Sequence, residues 1–299
     1  MNAQTGTSTD LRWSVSATAS CLHAAEALAL GQLVVDTRMA QAVAEPAQEL
    51  RRAIVAAGLP RSQFWRTLVG LSAVVDGSRT LAERAVTKTE GAARAQALAN
   101  ELAPLIACLE AAARRAFPEL QTDLAPQARR LREQWEDRAP ALLRHIAAWS
   151  DSRLIPAQAE VVLVHPSLGG GGSAHLPWNN VLLEAVVTDP VPSLPEWLRL
   201  GWLLAQLNLD LPVFCDNIHG QRLPHVAELA MLPVTLQAAE ELGWLTLDAQ
   251  SVDLALNSWH VSTPADVDPV DILMRWWGTY LETRPRWDVA FTALDRMFG

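Results

Sequence analysis

Glu160-Val-Val-Leu-Val-His165 and Asn180-Val-Leu-Leu-Glu-Ala-Val-Val187 decide the fold class, because they interrupt a chain whose apolar residues otherwise recur at helical spacing. Both are short apolar runs rich in β-branched residues, which suits a buried strand better than a helix. The Gly-rich segment between them reads as their connection, and Leu245-Thr-Leu-Asp248 offers a third strand. Just upstream, Asp151-Ser-Arg-Leu-Ile-Pro156 marks a change in composition and sets a domain boundary. The expected fold is mainly α with a small α+β part. Residues 1–150 form an N-terminal helical bundle, and residues 151–299 form a small α+β domain, a short β-sheet packed with C-terminal helices.

Working outward towards the N-terminus, Leu11, Val15, Ala19, Leu22, Ala25, Ala29 and Leu33 keep helical spacing, which predicts one long first helix. A second helix is expected over 61–75, bounded by Gly58-Leu-Pro60 and Asp76-Gly77. A third runs to Phe117 past Pro104, and a fourth starts near Pro126 and is kinked or restarted at Pro140. Four such amphipathic helices bury their stripes against one another as an antiparallel bundle. Towards the C-terminus, helical spacing returns over 194–207, 225–242 (bent or broken at Pro233), 251–259, 269–283 and 286–298. Asp268-Pro269-Val270-Asp271 carries the residues of a helix start: a capping carboxylate, a first-turn proline and an acid facing the dipole.

Half of the 299 residues are hydrophobic, ample for a buried core, and the formal net charge is −9. An acidic chain with no basic run lacks the clustered cations that displace counterions from nucleic acid, so no nucleic-acid partner is expected. Lys88 is the only lysine, which leaves one candidate for lysine-dependent phosphate or Schiff-base chemistry. Cys21, Cys108 and Cys215 form no CxxC pair, so reduced thiols are expected. No apolar stretch is long enough to span a bilayer, and residues 1–10 lack the pattern of a signal peptide, so the reading is a cytoplasmic protein without a membrane partner.

The chemistry-bearing candidates lie in the second half. His165-Pro-Ser-Leu-Gly-Gly-Gly-Gly-Ser-Ala-His175 places Gly169, Gly170, Gly171 and Gly172 in a row, a backbone able to present its amides to an anion. A Walker-type ending is absent, and a flexible or bulged connection between strands is the plainer reading of the glycines. His165 and His175 flank the loop and could serve Ser167 or Ser173 as bases, or hold a metal with Glu184 or Asp189. A turn containing Cys215, His219 and His225 has spacing conceivable for zinc, but incidental turn residues are the plainer reading. Ser193-Leu-Pro-Glu196 reads as a capping box. Twelve tryptophans are many, and the adjacent Trp276 and Trp277 point about 100° apart on a helix, so one partner face buries them less easily. Core packing is the default reading of the tryptophans, and these two are the interface candidates.

A glycine-bearing strand connection, a strand ending near Val187 and a helix opening at Pro195-Glu196-Trp197-Leu198-Arg199 resemble the core of zincin metallopeptidases over residues 158–245. In that family the helix carries His-Glu-x-x-His. Glu196 matches the general base, while Pro195 and Arg199 stand where both histidine ligands belong. The resemblance implies a core that has lost its metal and its peptidase activity.

These residues predict a non-catalytic scaffold that binds a protein partner or a second copy of itself, without a cofactor, metal or catalytic set. The alternative is a ligand-binding protein or hydrolase with its site at the Gly169–Gly172 loop, where His165, His175, Asn179 and Glu196 converge.

Overall fold

The structure, a computed structural model, describes residues 9–186, 191–264 and 266–299. It is mainly helical, with one small mixed sheet. Strand β1 (Asp10–Val15) runs parallel to β2 (Gln158–Val164), and β2 runs parallel to β4 (Asn180–Glu184). Strand β3 (Gly172–His175) lies antiparallel to β4 and completes the order β1-β2-β4-β3. Parallel neighbours need a crossover. Between β1 and β2 it consists of α1 (Ala17–Ala29), α2 (Thr37–Ala56), α3 (Arg61–Leu71), α4 (Ser78–Glu90), α5 (Ala95–Ala116) and α6 (Leu120–Trp149). The expected partition at residue 150 is therefore crossed twice. The sheet takes strands from both sides of it, and one continuous apolar cluster extends from Ala19 to Phe298.

Other expectations are compared with the structure in turn. The single first helix is a strand followed by a shorter helix, because Leu11 and Val15 satisfy a period of two as well as a spacing of four. Pairing with β2 selects the strand, and Ser16 then caps α1 by accepting the Ala19 amide at 3.0 Å. The helix expected to run to Phe117 is α5, and α4, which was not expected, precedes it and ends at Gly91, whose φ is +90°. Helix α6 runs from Leu120 to Trp149 with Pro126 and Pro140 inside it, so neither proline starts or ends it. The stretch 245–248 is not a strand: Asp248 accepts the Ser251 amide and caps α10 (Ala249–Ser258). The predicted strand end at residue 187 lies outside the described residues, as does Asp189.

After the sheet come α7 (Glu196–Leu204), the single turn α8 (Pro212–Cys215), α9 (Leu223–Glu241), α10, α11 (Pro269–Thr283) and α12 (Trp287–Met297). Asp268 caps α11, accepting the amides of Val270 and Asp271 at 3.0 and 3.1 Å. Helix α9 is apolar on nearly every side and sits in the core, contacting α6, α7, α10, α11 and α12. Among the described residues no helix is long and apolar enough to cross a membrane.

Trp276 and Trp277 are core residues, with exposures of 4% and 2%, which removes them as interface anchors in this fold. Their 100° divergence is met from two sides. The Trp276 indole N–H donates to the Ala290 carbonyl on α12, and that of Trp277 donates to Gln237 on α9. Rings of Trp149, Tyr280 and Trp287 pack around them.

Candidate functional site

The glycine run closes around a side chain of the protein itself. Glu184, the last residue of β4, is 1% exposed. Its Oε1 accepts the amides of Ser167 and Leu168 at 2.7 and 2.6 Å, and its Oε2 accepts those of Gly170 and Gly171 at 2.8 and 2.9 Å. His23 of α1 adds a fifth contact, Nε2 to Oε1 at 2.9 Å. Positive φ angles of 83° at Gly169 and 145° at Gly170 turn these amides inward, which favours glycine there. Burial alone would raise the Glu184 pKa. The His23 hydrogen bond and charge, with the loop amides, outweigh it and hold the carboxyl well below its ordinary range. For His23, burial acts downward, and the hydrogen bond and charge of Glu184 reverse it to a net rise. Amides expected to meet an external anion are thus saturated by an internal one.

The other candidates of that region do not converge on the loop. His165 bonds Asp36 through Nε2 at 2.9 Å, and its ring packs on Phe117. His175 faces Asn180 while Val164 faces Glu184, which separates the two histidines by four residues of β4, about 13 Å along the strand. Asn179 adopts a left-handed turn and donates to the Gln158 carbonyl. The Ser193 capping box does not form. Pro195 precedes α7 without a side-chain cap, and Glu196 turns inward to form a buried ion pair with Arg199. Arg199 also donates to the Glu184 carbonyl oxygen at 3.1 Å. The cavity bordered by Gly170, Glu196 and Arg199 measures about 10 Å³, no more than the space of one water. Among the described residues no three His, Cys, Asp or Glu side chains are arranged to hold a metal ion, and this includes the group Cys215, His219 and His225.

Open space lies at the opposite end of the sheet. A cleft of about 660 Å³, within the range of small-molecule sites, is walled by α3, by the turn that follows β3, and by the start of α9. From α3 come Arg61, Ser62, Gln63 and Arg66; from the turn, His175, Pro177 and Trp178; from α9 and its approach, Gln221, Pro224 and His225. Pro60 precedes α3 and makes no side-chain cap, so the amides of Arg61, Ser62 and Gln63 have no intrahelical partner. Arg66 is half-buried and makes no hydrogen bond or ion pair among the described residues. Glu26 of α1 and Glu228 of α9, one turn beyond His225, lie close enough to feel its charge, yet burial shifts both carboxyl groups towards their protonated form. Arg66 therefore faces the cleft without direct neutralisation, and Arg61 stands exposed at its rim.

Gly70 fixes the floor. A Cβ there would come within 2.8 Å of both the His175 and Trp178 rings, so the bare backbone of α3 is what lets these rings lie against it. Asn180 donates through Nδ2 to the Gly70 carbonyl at 3.1 Å and turns Oδ1 towards His175 Nδ1, also at 3.1 Å. That assigns the imidazole proton to Nδ1 and leaves Nε2 to accept from Ser173 at 3.4 Å. Ser173, His175 and Asn180 have the order of nucleophile, base and orienter. The base is too weak: burial, then the charge of Arg66, lower His175 to about 3, far from the neutral values that suit a general base. His225 is also lowered by burial, Arg66 and Arg222, so both histidines face the cleft uncharged at neutral pH.

A pH effect follows from His175. In the unfolded chain its imidazole takes up a proton near the ordinary 6.5, but in the folded protein not until about 3. Between these values the unfolded state binds more protons, so stability falls as pH falls through that window. Urea unfolding at several pH values is expected to give His175→Gln a shallower acid-side slope than the parent chain. Parallel slopes would remove this role.

Arg66, Trp178 and the cleft itself escape sequence reasoning. The available signal is a lone arginine among the buried positions Phe64, Trp65, Thr67 and Leu68, a charge that must find an internal or liganded counterpart.

No family model matches the chain, and no match was found among curated proteins or solved structures. Relatives therefore supply no residue roles, and function rests on the geometry.

Proposed function

We propose that the protein binds a small organic anion in the cleft between α3, β3 and α9. One observation carries the reading: Arg66, unpartnered among the described residues, faces a cleft of ligand size beside the free first-turn amides of α3. A charged group in a partly buried wall is favourable when it is satisfied by an opposite charge, and a helix start adds donors and a positive dipole end. Burial of Trp276 and Trp277 takes the C-terminal tryptophans from the scaffold reading and leaves it the N-terminal helices. The loop-centred ligand reading has lost its donors to Glu184.

Ligand-observed NMR with a panel of small carboxylates and their neutral amides tests it. Carboxylates are expected to bind and amides not to, and Arg66→Gln is expected to weaken binding by about 10- to 100-fold, the value of a charge-assisted contact. Because Arg66 holds no partner among the described residues, circular dichroism of the variant should match the parent. Equal binding of amides and carboxylates, or an Arg66→Gln protein that binds unchanged, would overturn the reading.

A further inference from the structure

We infer that the ligand of this cleft is an aromatic monocarboxylate, seated with its ring on Trp178 and its head on Arg66; this rests on the anion-binding reading above. Beside the polar side chains of α3 the cleft has an apolar lining. Trp178 packs on the bare backbone of Gly70 on one side and lines the cleft on the other, and Pro60, Pro177 and Pro224 contribute rigid apolar surface beside it. His175 adds a second ring 6.4 Å from the indole centroid. Its nitrogens are engaged by Asn180 and Ser173 and the residue is 2% exposed, so it backs the indole and offers the cleft no free hydrogen-bonding atom. Planar ring surfaces of this kind prefer offset or edge contacts with another ring over contact with a puckered aliphatic body.

The charge balance selects the head group. Arg66 is half-buried, while Arg61 is exposed at the rim, where water screens it. Both histidines are neutral, and the glycine amides that could cradle a phosphate are held by Glu184 at the far end of the sheet. One cation and one helix start suit a single, planar, bidentate carboxylate. A phosphate dianion would bring a charge that nothing buried matches.

Calorimetric titration of the full chain with benzoate, cyclohexanecarboxylate and phenyl phosphate tests this. Benzoate is expected to bind about three- to ten-fold more tightly than cyclohexanecarboxylate, the worth of a ring–ring contact, and more tightly than phenyl phosphate. Its ring protons should shift upfield in NMR. Trp178→Leu, which keeps an apolar side chain on Gly70, should erase the preference for benzoate while cyclohexanecarboxylate is little affected. Equal affinities for the two carboxylates, or tighter phenyl phosphate, would overturn the aromatic monocarboxylate and leave the anion site standing. Failure of all three to bind, or insensitivity to Arg66→Gln, would instead remove the anion site and this inference with it.

Discussion

Glu184→Ala is expected to cost roughly 3–5 kcal/mol of folding stability, the range for breaking a buried charge pair. The side chain holds four backbone amides and His23 in an interior where Glu184 is 1% exposed. Alanine leaves all five groups without their acceptor, and each orphaned buried donor costs about 1–3 kcal/mol unless water or loop movement relieves it. Relief is partial, since the neighbouring cavity admits about 10 Å³. Glu184→Gln should fall between, because its oxygen can still accept one pair of amides while its NH2 group opposes the other. Urea unfolding monitored by circular dichroism measures both, and a Glu184→Ala chain within about 1 kcal/mol of the parent would contradict the role assigned to this residue. The pH signs of the pair are opposite. The carboxylate contribution is present above its ordinary value of 4.5 and is lost as pH falls through the depressed folded value. The His23 contribution is complete below 6.5 and declines as pH rises through its raised value.

Trp277→Ala is the second large effect, at about 3–5 kcal/mol for truncating a buried indole. The ring is 2% exposed, bonds Gln237, and packs on Trp149, Trp276 and Tyr280, which ties α6, α9 and α11 together. Removing it leaves a cavity among rings too large and too constrained to collapse inward. The loss should appear as a lower thermal midpoint of the isolated protein and a lower denaturant midpoint. An unchanged midpoint would return this tryptophan to the surface and restore it as an interface candidate.

Much of the fold is legible in the chain because local geometry writes it. Strands β2 and β4 follow from short β-branched runs, and the start of α11 follows from Asp268-Pro269, whose carboxylate meets amides two and three residues on. Legibility fails where two periods coincide, as at Leu11 and Val15, or where a strand is as short and plain as Gly172-Ser-Ala-His175. The candidate site was less accessible still. The sequence puts His175 beside the glycine run, but its ring packs against Gly70, about a strand length from the loop amides. Arg66 carried no motif.

The sequence alone determined a mainly helical chain with a small sheet and the approximate limits of several helices, because hydrophobic period and capping act within a few residues. Only the tertiary structure decided which way the glycine amides point, which strand joins β2, and where an unpaired cation meets open space. Glu184 lies 13 to 17 residues from the amides it binds, and β1 pairs across six helices. Contacts between distant segments have no repeat along the chain; they exist only once burial of the shared core has brought those segments together.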